Sequence, residues 1–188
     1  MILLGEEGLS KFKLTLKRAP APEISQVIAL EKWRALFYRL GLVGEYPNEK
    51  IGYGNLSCRL NQKGFLISGG QTGHLPNLQA HHYTKVTDCD LKKGSVSAEG
   101  LIAPSSDSLT HFSLYQSQPQ IHAIFQVHHP ELWEIVSLNG IKNFNELTKG
   151  IFAYRQPADG IIAFGSSVEE AGKTLLETYR RLSNRGHA

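Results

Sequence analysis

The stretch Ala103–Pro130, APSSDSLTHFSLYQSQPQIHAIFQVHHP, constrains this chain more than any other part. Ala103-Pro104 reads as a turn, and Ser105, Ser106 and Asp107 suit the start of a helix, where side-chain oxygens and negative charge are favoured. Asp107 and His111 lie one helical turn apart and so project from one face. Pro119 ends the helix within Ser117–Gln120. Ile121–Val127 then reads as a buried strand running into His128, His129 and Pro130. A helix start and a strand end within one segment can bring hydroxyls, a carboxylate and imidazole together, as α/β proteins commonly do.

The flanking sequence supplies more helices and strands. Residues Met1–Ala21 read as an N-terminal extension holding a short alternating strand, KFKLTLKR, with the character of an edge strand. Pro22 suits a first helical turn, and Ile24, Val27, Ile28, Trp33, Leu36, Phe37 and Leu40 recur at helical spacing up to Gly41. YGNLSCRL (Tyr53–Leu60) and GFLIS (Gly64–Ser68) predict a hairpin turning at Asn61–Lys63. The SGGQTGHLP loop that follows is rich in glycine, and its exposed N–H groups suit an anion. His81–Asp88 predicts a strand, on which the adjacent His81 and His82 would point to opposite faces. Glu131–Leu138 predicts a helix ended by Asn139-Gly140. Gly150–Tyr154 and Gly160–Phe164 predict strands, and Ser167 with Glu170 forms a capping box opening a last helix. No repeat divides the chain, so residues 22–188 read as one domain.

Composition excludes several classes. The chain has 188 residues, 41% hydrophobic, with a net charge of +3 and 20% charged residues. Such a small, dispersed basic excess does not argue for nucleic acid. No apolar run reaches the length of a membrane span, and MILLGEEG lacks the basic start and apolar core of a signal peptide. Cys58 and Cys89, without CxxC spacing, read as reduced thiols of a cytoplasmic protein.

Four pieces, in order, resemble the class II aldolase/adducin family: GNLSCR (Gly54–Arg59), LISGGQTG (Leu66–Gly73), the central stretch, and DGIIAFGSSVEEAGKTLLETY (Asp159–Tyr179). The resemblance implies an α/β fold, a three-layer αβα sandwich with a mixed, mainly antiparallel sheet. It implies a homo-oligomer, tetrameric in many members, acting on phosphorylated sugars with a divalent ion. In the family, the ion polarises a carbonyl and stabilises an enediolate while a carboxylate moves the proton.

Carried over by position, Gly54, Asn55, Thr72, Gly73, Ser105 and Ser106 would bind the substrate phosphate. Asp107 stands at the acid/base position, where the family has glutamate. Gln126, His128 and Asp159 stand at the three metal positions, where the family has histidines. A neutral amide and a carboxylate disfavour tight tetrahedral zinc, so these positions would hold manganese, magnesium or a weakly held zinc, or no ion. His111 would orient Asp107 or pack in the core. Two readings follow. One is a lyase or isomerase, an aldehyde-lyase on a small phosphorylated sugar or carbonyl compound. The other is a non-catalytic binding or scaffold module like the adducin head.

Overall fold

Strand Ala123–Val127 (β8) is buried along its whole length, as are Phe65–Ser68 (β5) and Gly160–Gly165 (β10). Strands covered on both faces read as continuous apolar runs, which is how all three appear in the sequence. The computed structural model describes residues 12–60, 64–138, 149–154 and 160–185. Asn61–Lys63, Asn139-Gly140 and Asp159 lie outside the described residues, as does the part of the extension before Phe12.

The remaining strands are Lys13–Arg18 (β1), Gly44–Tyr46 (β2), Ile51–Tyr53 (β3), Asn55–Arg59 (β4), Tyr83–Asp90 (β6), Ser95–Gly100 (β7) and Gly150–Tyr154 (β9). The helices are Ile24–Arg39 (α1), Ser108–Ser117 (α2), Pro130–Leu138 (α3) and Val168–Arg185 (α4). The main sheet has the order β1-β7-β6-β5-β4-β8-β10-β9, and β2 pairs with β3 apart from it. Every neighbouring pair in the main sheet is antiparallel except β1 with β7. The sheet is therefore mixed and mainly antiparallel, as expected.

Alternation along the central strands splits the core in two. Leu56, Phe125, Val127, Ile161 and Ala163 pack against Trp33, Phe37, Leu132, Ala171 and Leu175 of α1, α3 and α4. Phe65, Ile67, Ile124, Ile162 and Phe164 pack on the other face with Leu109, Leu114 and Tyr115 of α2. The three layers are thus helices, sheet and α2. Each fully buried Leu, Ile or Phe contributes about 1.5–3 kcal/mol relative to exposure. β1 stays largely exposed at one edge, its Lys17 reaching Glu99 at 3.2 Å.

Three local expectations are corrected. Ile24 and Ile28, predicted to face inward on α1, are 72% and 64% exposed. The buried stripe is Val27, Leu30, Trp33, Arg34 and Phe37, so the helix is rotated to bring an arginine inward. His81 and His82 sit in a 3-10 turn, Ala80–His82, with ring centroids 3.9 Å apart, instead of on opposite faces of a strand. The β2–β3 hairpin was not foreseen, because three-residue strands around Pro47 show no alternation. The capping box forms only in part: Glu170 N–H donates to Ser167 Oγ at 3.1 Å, but its carboxylate accepts from Ser166 N–H at 2.8 Å.

Among the described residues no helix is long and apolar enough to cross a membrane. Both cysteines are free, and burial pushes the Cys58 thiol up to about 11.

Candidate active site

Three backbone segments wall a cleft of about 290 Å³ at one end of β4 and β5: residues 52–55, 69–73 and 103–107. Gly54, within the first segment, has φ +77°. A Cβ there would meet Val43 Cγ2 at 2.9 Å and the carbonyl oxygens of Leu42 and Gln126 at 3.1 and 3.2 Å. Glycine is needed both for its backbone conformation and for this approach. Gly73 closes the second segment, where a Cβ would lie 1.9 Å from the Gly44 carbonyl oxygen.

The second and third segments run side by side. Gly70 N–H donates to Ala103 O at 3.0 Å and Ser105 N–H to Ser68 O at 3.2 Å. Thr72 Oγ1 donates to Gly69 O at 2.9 Å, tightening the loop. Gln71 between them holds φ +58°, an uncommon conformation for a residue with a side chain.

The 69–75 loop is tied from beneath by α1. Arg34, 1% exposed, donates to Thr72 O at 3.0 Å and to Leu75 O. Burial pulls its guanidinium below the ordinary range, opposed by the nearby Glu31 carboxylate and the Tyr83 and Tyr38 rings. Glu31 itself accepts from Leu78 N–H and from Tyr83 O–H, each at 2.8 Å. Neither residue was assigned a role from the sequence. The available signal was a charge pair three residues apart within the apolar run of α1.

At the floor, Asn55 Nδ2 donates to Asp107 Oδ2 at 2.8 Å, both residues being 5% exposed. Asp107 is the N-cap residue of α2, yet its side chain makes no capping bond, because the carboxylate is turned to Asn55. Ser105 Oγ accepts from Asp107 N–H at 3.3 Å and Ser108 Oγ donates to Ser105 O at 2.7 Å, so the two serines order the turn instead.

Further along α2, His111 is fully enclosed. Its Nδ1 is 2.6 Å from Ser57 Oγ, which also lies 2.8 Å from the Tyr115 hydroxyl. Burial pushes the imidazole down to about 3, partly offset by the neighbouring Gln126 side chain, so the ring is neutral. Neither His111 Nε2 nor Gln126 Oε1 makes a hydrogen bond of good geometry among the described residues. Arg59 ends this face of β4, donating to Tyr115 O at 2.7 Å with its guanidinium 4.7 Å from the Tyr115 ring.

Gly54, Asn55, Thr72, Gly73, Ser105, Ser106 and Asp107 therefore all line one cleft, although the sequence spreads them over three segments. Gln126 and His128 do not line it. Gln126 pairs with Asn55 across β4 and β8, and its side chain meets His111 beneath the floor. His128 follows β8, its ring centroid 6.1 Å from that of Tyr53 and 6.5 Å from that of Tyr154. Asp159, the third expected metal position, lies outside the described residues. Among the described residues no three His, Cys, Asp or Glu side chains gather as metal ligands. The two expected positions that are described supply one imidazole, His128, and one neutral amide, Gln126. The lining also contains no Lys or Arg among the described residues.

No curated protein matches the chain in sequence. Among solved structures, YgbL from Escherichia coli is 20% identical, covers 86% of this chain and 89% of its own, and has a TM-score of 0.59. An L-fuculose 1-phosphate aldolase is 16% identical, with 87% and 85% covered and a TM-score of 0.58. The L-fuculose-1-phosphate aldolase from Thermus thermophilus is 18% identical, with 85% and 88% covered and a TM-score of 0.52. At these identities the likeness is one of fold. Residues 36–158, which hold all three walls of the cleft, match the Class II Aldolase and Adducin N-terminal domain, and the chain belongs to that family.

Proposed function

We propose that this protein is a lyase or isomerase, an aldehyde-lyase in its simplest form, acting on a small phosphorylated carbonyl compound in the cleft. The observation that carries the reading is the buried Asp107 carboxylate, held by Asn55 at 2.8 Å against a wall of serine hydroxyls and glycine-rich backbone. A carboxylate so held can take the proton of a hydroxyl as the adjacent C–C bond breaks. It can then return that proton to carbon as the enediolate collapses. Ser105, Ser106, Thr72, Gly73, Gly54 and Asn55 are assigned to the anionic end of the ligand. With no basic side chain in the lining among the described residues, that grip falls to hydroxyl and N–H donors at a helix start and a glycine loop.

No step of this reading passes through a metal ion. Gln126, His128 and Asp159 stay as the positions proposed for a loosely held manganese, magnesium or zinc. The protein is proposed to act as a homo-oligomer in the cytoplasm, tetrameric by its likeness to the family. A second reading, a binding or scaffold module, is favoured by the chemistry of one position: Gln126 offers a neutral amide oxygen where the family has a histidine.

The two separate on a panel of sugar phosphates assayed for retro-aldol cleavage and epimerisation. Turnover by the wild type, reduced at least ~100-fold in Asp107→Asn, supports the enzyme, since general acid/base groups typically contribute that much. Equal rates would remove Asp107 from the chemistry. Binding of sugar phosphates without turnover would favour the module.

A further inference from the structure

We propose that Ser57 and His111 are positioning residues that set the axial register of α2 on β4 and so fix where Asp107 stands in the cleft. The role rests on the reading of Asp107 as the proton-transfer group. Two repeats, one of the strand and one of the helix, nearly coincide here. Residues two apart on a strand share a face and advance about 6.6 Å, and residues four apart on a helix share a face and advance about 6.0 Å. Asn55, Ser57 and Arg59 follow the first spacing, and Asp107, His111 and Tyr115 the second. The repeats match closely enough for three successive rungs to form.

The rungs are Asn55 to Asp107 at 2.8 Å, Ser57 to His111 at 2.6 Å, and Arg59 to the Tyr115 carbonyl at 2.7 Å. The Tyr115 hydroxyl, 2.8 Å from Ser57 Oγ, joins the second rung to the third. Ser57 Oγ, lying between His111 Nδ1 and the Tyr115 hydroxyl, can donate to one and accept from the other, so a single chain of hydrogen bonds satisfies all three groups. Leu109 and Leu114 hold α2 on the sheet by apolar contact, which is non-directional and tolerates sliding. A slip of one residue moves the helix about 1.5 Å and turns it about 100°, breaking every rung. Ser57 and His111 are both 0% exposed, so neither has water as an alternative partner. Neither lines the cleft, so their influence on a ligand runs through Asp107.

The Asn55 side-chain amide reports the first rung directly, because a hydrogen bond to a carboxylate shifts its proton resonances away from those of solvated amides. The experiment records these resonances in 15N-labelled wild type, Ser57→Ala, His111→Leu, His111→Asn and Leu114→Ala. Ser57→Ala and His111→Leu are expected to move the Asn55 signals into the solvated range. His111→Asn, which keeps a polar atom where Nδ1 stood, restores them. Leu114→Ala, a cavity on the same helix outside the rungs, leaves them in place. Unchanged Asn55 signals in Ser57→Ala would overturn the proposal, as would an equal loss in Leu114→Ala. Should His111→Leu fail to fold, Ser57→Ala decides, since it deletes a single oxygen. Undiminished turnover in Asp107→Asn would sink the catalytic reading while leaving this outcome standing.

Discussion

Asn55 Nδ2 lies 2.8 Å from Asp107 Oδ2 at the floor of the cleft, joining the first residue of β4 to the N-cap of α2 across 52 positions of sequence. The contact places Asn55 on the carboxylate, where the sequence alone assigned it to a phosphate. One side chain can hold Asp107 and still line the cavity.

Replacing Asn55 tests what that contact does. Asn55→Ala is expected to cost about 1–3 kcal/mol, the penalty for leaving a buried polar group without its partner. Asn55→Asp, nearly isosteric, is expected to cost more at neutral pH, because it sets a second carboxylate against the first. Urea denaturation at neutral pH checks the order. An aspartate variant as stable as the alanine variant would mean the two groups do not face each other in solution.

His111 makes stability depend on pH. Its folded value of about 3 lies below the ordinary 6.5, so below 6.5 the unfolded chain takes up a proton that the native ring refuses. Its share of stability is complete above that pH and is lost as pH falls toward 3, at about 1.4 kcal/mol per unit. Between pH 6 and pH 4, His111→Asn is therefore expected to lose about 2–3 kcal/mol less than the wild type. Parallel curves of stability against pH for the two proteins would contradict an enclosed neutral imidazole.

Arg34 is expected to matter more than its distance from the cleft suggests. Arg34→Met keeps the buried stem and removes both donors to the 72–75 carbonyls, at an expected cost of about 3 kcal/mol. Arg34→Lys restores charge but not the two-pronged geometry, so recovery is expected to be partial. Hydrogen exchange of the 69–75 amides reads the effect locally. Unaltered protection there in Arg34→Met would leave the loop held by other contacts.

Metal analysis of the purified protein addresses the ion. The expected content is well below one zinc per chain, because Gln126 offers a neutral oxygen at one of the two described positions. Stoichiometric zinc that survives dialysis, and that is lost in His128→Ala, would reverse this ligand argument.

Some of these features could be read without coordinates because they are local. The apolar runs of β5, β8 and β10, the proline and serines before α2 and the spacing of α4 follow from backbone preferences and from periods of two and 3.6. The walls of the cleft could be foreseen as Gly54–Asn55, Thr72–Gly73 and Ser105–Asp107 through the family pattern. Ser57 and Arg59 stood inside the quoted GN-x-S-x-R, yet their partners could not be named. Their meaning depends on which strand α2 lies over. The stripe of α1 was misjudged for a related reason: apolar residues flank Arg34 on both sides, and only the loop carbonyls waiting above explain why the charge turns inward.

The amino-acid order determined most of the elements, which follow from side-chain type and short-range repeat, while the layers and the candidate site residues were legible through the family resemblance. Tertiary structure decided the rest: that Asp107 faces Asn55 and that His111 sits neutral on Ser57. Those facts are hydrogen bonds between segments far apart in the chain. Such bonds form only when strand and helix meet in one register, and no local period encodes that register.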